Sequence, residues 1–184
     1  ELPATTLADY CYQSMFMSCE SLAQAPELPA TTLALTCYGS MFNGCTSLTQ
    51  APDLPATTLT RDCYYRMFYY CTSLTQTPEL PATTLADSCY YRMFYYCTKL
   101  NYAKCLATDT SATDCTTDWL KNVSSTGTFE CDNKKYFTLD SPNGIPTGWT
   151  ITEINPDPLT PPEPEKPDLD TFDPNVPFCI ENVG

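Results

Sequence analysis

Apolar and polar positions along this chain follow one recurring phrase. Leu-Pro-Ala-Thr-Thr-Leu starts at Leu2, Leu28, Leu54 and Leu80, and each copy runs into Cys-Tyr-x-x-Met-Phe-x-x-Cys with a Leu three residues on. The copies are 26 residues apart and carry no insertions. Such an array predicts a solenoid whose units cannot bury their apolar faces alone and must stack. Shifting the fourth unit by one period maps Leu80 to Leu106, Cys89 to Cys115, Met93 to Trp119, Phe94 to Leu120 and Cys97 to Val123. A fifth, degenerate coil is therefore expected within residues 106–126, with Trp119 closing the core.

Inside each unit the constant residues of the first copy, Cys11, Tyr12, Met15, Phe16 and Cys19, fall at i, i+1, i+4, i+5 and i+8. That spacing predicts one face of an α-helix. The residues that differ between copies, Asp9, Tyr10, Gln13, Ser14, Met17 and Ser18 in the first, would occupy the opposite face. Leu22, Leu48, Leu74 and Leu100 open runs that read as short parallel strands interrupted at Pro26, Pro52 and Pro78. Pro29, Pro55 and Pro81, each followed by Ala-Thr-Thr, predict a turn into the helix with Thr as its cap. The expected fold is an α/β repeat solenoid of 26-residue coils over residues 1–126. A β-rich cap over 127–154 and an acidic, Pro-rich tail over 155–184 would follow.

Composition narrows the function classes. Nine Lys and Arg against 22 Asp and Glu give a net charge of -13, which repels nucleic-acid phosphates and anionic lipid surfaces. No apolar stretch approaches the ~20 residues a spanning helix needs, so membrane insertion is not expected. The start at Glu1, with no leader-like segment, reads as a mature or trimmed product. His is absent and no Gly-rich phosphate loop occurs, so catalysis has no evident base or cofactor cradle and no enzyme activity or cofactor is expected. Glu27, Asp53 and Glu79 read as a solvated strand edge rather than a glycosidase pair, and Asn122-Val123-Ser124 as a chance sequon.

Twelve Cys suggest disulfides, but their spacing opens another reading. Cys11, Cys37, Cys63, Cys89 and Cys115 recur with the period, as do Cys19, Cys45, Cys71 and Cys97. Each set would stack as a ladder of small buried hydrophobes, either reduced or cross-linked between coils. Cys105 and Cys131 sit one period apart, and Cys179 stands alone in the tail. A bond from Cys179 to one of the other two, with Cys131 favoured, is the candidate staple between tail and body. With no Cys-x-x-Cys and no His, a metal site is not expected.

The Met-Phe-x-x-Cys-x-x-Leu core, at 15–22, 41–48, 67–74 and 93–100, resembles the BspA-like leucine-rich repeats of bacterial surface proteins. The Leu-Pro-Ala-Thr-Thr-Leu phrase, with Gly-Ile-Pro-Thr-Gly-Trp-Thr at 144–150, looks like proteins of gut Bacteroidales or their phages. The resemblance implies a right-handed leucine-rich-repeat solenoid with a curved sheet on one side and helices on the other. It also implies export to the extracellular side or bacterial cell surface, and a role in adhesion.

Within the array, Tyr65, Arg66, Tyr69 and Tyr70 are matched one coil later by Tyr91, Arg92, Tyr95 and Tyr96. Tyr and Arg concentrate in binding hot spots, which makes this set the candidate recognition face. A column of Tyr that merely stacks on itself is the competing reading. Two functions follow. The first is a noncatalytic recognition or adhesion module whose partner is a host surface protein or a glycan. The second is a structural subunit of a fibre, filament or virion, joined to copies of itself through the tail. There Phe178-Cys179-Ile180-Glu181-Asn182 would add to a free sheet edge such as that of the uncapped first coil.

Overall fold

A computed structural model describes residues 2–139 and 144–154. The tail after residue 154, Cys179 and its candidate bond to Cys131 lie outside the described residues.

Successive 26-residue units stack. Single parallel bridges join Thr6 to Thr32 and Gln24 to Gln50, and the same one-period offset pairs Tyr102 with Thr128. We number the coils 1 to 5 after the constant segments that begin at Cys11, Cys37, Cys63, Cys89 and Cys115.

The expected α/β architecture with a helix in each coil is overturned. No α-helix occurs among the described residues, and regular secondary structure is confined to a small sheet and one turn of 3-10 helix. The constant segments are chains of four-residue turns. Every fourth residue is left-handed: Tyr10, Ser14 and Ser18 in coil 1, Asp62, Arg66 and Tyr70 in coil 3, Ser88, Arg92 and Tyr96 in coil 4. A left-handed residue cannot continue a right-handed helix, so the true period is 4.0, not 3.6. Over nine residues the two periods place the same side chains inward. That coincidence is why i, i+1, i+4, i+5, i+8 reads as a helix.

Hydrogen bonding explains why the turns are stable. Alternate N–H groups bond locally, as Cys11 to Ala8, Gln13 to Tyr10 and Met15 to Tyr12 (3.1–3.3 Å). The intervening N–H groups leave the coil: Tyr12 donates to Cys37, Ser14 to Gly39 and Phe16 to Met41 (2.9–3.0 Å). The pattern repeats at every interface, through Phe94 to Trp119 at 3.0 Å. Each left-handed residue costs about 1 kcal/mol or more when it is not Gly. It also turns its own N–H toward the next coil, so the strained residue makes an inter-coil bond.

The sheet is parallel, in the order β1 (Gln76–Leu80), β2 (Tyr102–Cys105), β3 (Gly127–Cys131), β4 (Trp149–Glu153). Strands were expected in every coil, but the earlier equivalents make only the Gln24–Gln50 bridge. Pro26, Pro52 and Pro78 occupy one column, and Pro cannot donate to a ladder. Where that column reaches Lys104 the N–H returns, bonding Thr77 Oγ1 at 3.2 Å, and β1 still shifts register across Pro78. β4 packs closely because Gly127 has no side chain: a Cβ there would lie 2.7 Å from Trp149 Cε2.

The core is a set of columns. Tyr12, Tyr38, Tyr64 and Tyr90 stack at 5.8–6.1 Å, and Phe16, Phe42, Phe68 and Phe94 at 5.5 Å. Trp119 continues the Tyr column below Tyr90 and meets Phe129 and Phe137. These rings are buried from coil 2 onward. In coil 1, Cys11 and Cys19 are exposed, and Met15 and Met17 are about half-exposed, because no described residue covers that side.

Candidate functional site

All eleven described cysteines are free thiols, and those from Cys37 to Cys131 are buried. The columns supply acceptors. Cys45 Sγ donates to the Phe16 carbonyl at 3.1 Å, Cys71 to Phe42 at 3.1 Å and Cys97 to Phe68 at 3.0 Å. Cys115 donates to Thr110 at 3.2 Å and Cys89 approaches the Cys115 carbonyl at 3.9 Å. A thiol thus fills a small apolar slot and offers its weak proton to a backbone oxygen. Burial pushes Cys37 and Cys45 up to about 11, and Cys63 and Cys105 up to about 12. Burial raises Cys71, Cys89 and Cys97 further. Such buried thiols stay protonated at neutral pH and fill space in the core. Among the described residues, no group of three His, Cys, Asp or Glu is placed to hold a metal ion. Likewise, no helix is long and apolar enough to cross a membrane.

The Tyr and Arg residues singled out from the sequence come together in one outward-facing ladder. Each four-residue turn sends two residues inward and two outward, so Tyr65, Arg66, Tyr69 and Tyr70 emerge from coil 3 between buried Tyr64, Met67, Phe68 and Cys71. Coil 4 repeats the arrangement one period on. Tyr65 stacks on Tyr91 at 5.2 Å and Tyr69 on Tyr95 at 5.2 Å, with planes within 4°. Tyr70 stacks on Tyr96 at 4.7 Å. Within each coil the second and third rings meet at a tilt, Tyr69–Tyr70 at 5.0 Å and Tyr95–Tyr96 at 4.9 Å. The six rings thus form two groups, the Tyr65–Tyr91 pair and the cluster of Tyr69, Tyr70, Tyr95 and Tyr96. Tyr70 is 40% exposed, and the other five are half-buried.

Both Arg guanidinium groups lie against these rings, Arg66 at 5.0 Å from Tyr65 and 5.5 Å from Tyr69, Arg92 at 5.0 Å from Tyr91 and 5.4 Å from Tyr95. The two then differ. Arg92 donates through Nε to Asp118 Oδ2 at 3.1 Å and pairs with it through Nη2 at 3.0 Å, while Lys121 holds Oδ1 of the same carboxylate at 3.0 Å. Burial disfavours the Asp118 charge, but the hydrogen bonds from Lys121 and Arg92 outweigh it and hold the carboxyl below its usual range. Arg66 has no ion pair among the described residues, and its Nε is buried without an acceptor. The sequence did not flag Asp118, although its position one period after Arg92 signals that pairing.

The ladder stops abruptly above coil 3. The matching positions in coil 2 are Gly39, Asn43 and Gly44, where Tyr65, Tyr69 and Tyr70 would otherwise meet further rings. Gly44 occupies a left-handed position with φ +78°. Below coil 4 the positions pass to Thr117, Lys121 and Asn122. The opposite side of the stack carries a groove of about 470 Å³ whose lining includes Pro26, Glu27, Pro52 and Asp53.

In comparisons with known proteins, no family model, curated protein or solved structure matches this chain. The likeness to BspA-like repeats rests on the motif alone.

Proposed function

We propose that the chain is a noncatalytic recognition module, exposed on a bacterial surface or outside the cell, that binds through its Tyr–Arg ladder. The observation that carries this reading is the second aromatic column. The buried Tyr and Phe columns already supply the core, yet six further Tyr and two Arg stand outward over two coils. Side chains of this kind give large contact area at low entropic cost. Stacking holds the rings in fixed positions before a partner arrives, which lowers the cost of binding. The BspA-like motif adds the expectation of an adhesive role on a host protein or glycan.

The test is retention on immobilised mucin, matrix proteins and polysaccharides by the parent chain and by a variant with Tyr65, Tyr69, Tyr91 and Tyr95 replaced by Ser. Loss of retention, with the core unfolding still cooperative, supports the reading. Unchanged retention moves the site to another face. A subunit of a fibre or virion, joined to copies of itself, is the second reading. Light scattering that shows concentration-dependent elongation would select it.

A further inference from the structure

One column of charged residues changes character along the stack. Glu27, Asp53 and Glu79 repeat with the period, and the strand register sets Lys104 opposite Glu79. Lys104 Nζ meets Glu79 Oε2 at 2.7 Å. Glu27 and Asp53 are exposed and make no ion pair among the described residues. Like charges at matching positions of neighbouring coils repel. The end of the column without a cation is therefore the end that gains most from one.

That end is also hollow. Pro26 and Pro52 remove ladder donors, so the Gln24–Gln50 bridge is not continued and no backbone hydrogen bond joins 26–29 to 52–55. Further along the stack, β2 and β3 pair residue by residue. The two unladdered runs line the groove of about 470 Å³, a volume within the range of ligand sites. Its lining has three chemistries. Half-buried Pro26 and Pro52 offer apolar rings, Glu27 and Asp53 supply charge, and Gln24 and Gln50 carry amides at one end.

We infer that this groove binds an extended basic segment of a partner protein, with an Arg side chain over Pro26 and Pro52 and its guanidinium on Glu27 and Asp53. The partner's cation does from outside what Lys104 does for Glu79 within the chain. A guanidinium holds five N–H donors in one plane, so a single group serves two carboxylates while its flat face rests on the proline rings. The Gln24 and Gln50 amides meet the peptide groups of the segment, which is extended because the groove follows matching runs of two coils. A net charge of -13 draws a basic partner toward the chain. A neutral Pro-rich segment would meet the rings and leave both carboxylates unused. The groove shares no residue with the Tyr–Arg ladder, and neither proposal needs the other.

Fluorescence anisotropy on the full chain tests it with a labelled pentapeptide of alternating threonine and arginine, and with the same peptide carrying citrulline, which keeps the shape of arginine and loses its charge. The arginine peptide should bind at least about tenfold more tightly, the factor expected for one charged hydrogen bond. Asp53→Asn and Glu27→Gln should each remove most of that gap without moving the melting temperature, since both side chains are exposed. Glu20→Gln, which deletes an exposed carboxylate outside the groove, should preserve it. Amide chemical shifts should move at Ala25, Glu27, Ala51 and Asp53 and stay fixed at Tyr69 and Tyr95. Equal binding of the two peptides, a gap that survives in Asp53→Asn, or no binding at all would overturn the inference. So would an equal loss in Glu20→Gln, which would mean diffuse attraction by net charge, or displacement of the peptide by calcium chloride at matched ionic strength, which would assign the groove to a divalent cation.

Discussion

The inner and outer aromatic columns are built by the same device and serve different ends. Both repeat once per coil and both stack at about the same separation, 5.5 Å for Phe68 on Phe94 and 5.2 Å for Tyr69 on Tyr95. Phe68 is fully buried, whereas Tyr69 is half-buried. Stacking distance is therefore set by the coil, not by the role of the ring. What separates core from surface is the four-residue turn, which sends residues 67 and 68 inward and 69 and 70 outward. The difference teaches that a repeat can carry a second, independent column at little structural cost, and that only its flanking residues reveal its purpose.

The contrast is broken most directly by truncation. Phe68→Ala should cost about 3–5 kcal/mol by opening a cavity between coils, whereas Tyr69→Ala should cost on the order of 1 kcal/mol or less. Denaturant titration of the two variants checks this, and equal losses would mean that the outer column is core.

Alkaline pH provides the next largest contrast, because the buried thiols line the inner side alone. Cys63 and Cys105 are pushed from an ordinary value of 9.0 up to about 12, so above pH 9 the unfolded chain releases protons that the folded chain keeps. Stability is therefore full below about pH 9 and falls through the range 9 to 12. Each such thiol should remove about 1.4 kcal/mol per pH unit. Unfolding curves at pH 8, 9 and 10 measure the slope, and a flat profile would contradict burial of the ladder. At neutral pH, alkylation followed by mass mapping should modify Cys11 and Cys19 well before Cys45, Cys71 and Cys97.

The smallest effect sharpens the comparison. A double-mutant cycle on Tyr69 and Tyr95 should return a coupling of about 0.5–1 kcal/mol in stability. A value near zero would mean that the outer rings are held in place only by the coils.

The repeat of 26, the inward residues and the place of Trp119 are legible in the sequence because four copies report on one another. The helix reading fails at a definite point: side chains at Cys37, Met41 and Cys45 point inward under a period of four as under 3.6. The left-handed residues that decide between them are seldom Gly. A weaker signal was present, since Ser14, Ser40, Asp62, Asp114, Asp118 and Asn122 all occupy these positions, and Asp and Asn tolerate them better than most residues. The strands were over-read in the first coils because the Pro column removes donors that a run of apolar residues does not reveal. At the candidate site, the Tyr and Arg columns were readable from repetition alone. The asymmetry between Arg66 and Arg92 was legible too but went unused: one period on from Arg66 stands Arg92, and one period on from Arg92 stands Asp118.

The alternating hydrogen bonds have a consequence for the molecule as a whole. In a given turn, the carbonyl of residue 35 accepts from coil 1 while the N–H of residue 36, in the same peptide group, donates to coil 3. Every second peptide group therefore lies along the stacking axis, and all of them point the same way. Their dipoles add as they do in an α-helix, and unlike those of an ordinary sheet they do not cancel. The stack has a negative pole at coil 1, where the carbonyls of Asp9, Cys11, Gln13, Met15 and Met17 accept no hydrogen bond among the described residues. Its positive pole lies at coil 5, where Asp114 and Asp118 stand at the left-handed positions. The described stack is thus polar along its axis, with Asp114 and Asp118 at its favourable pole and Asp9 at the other.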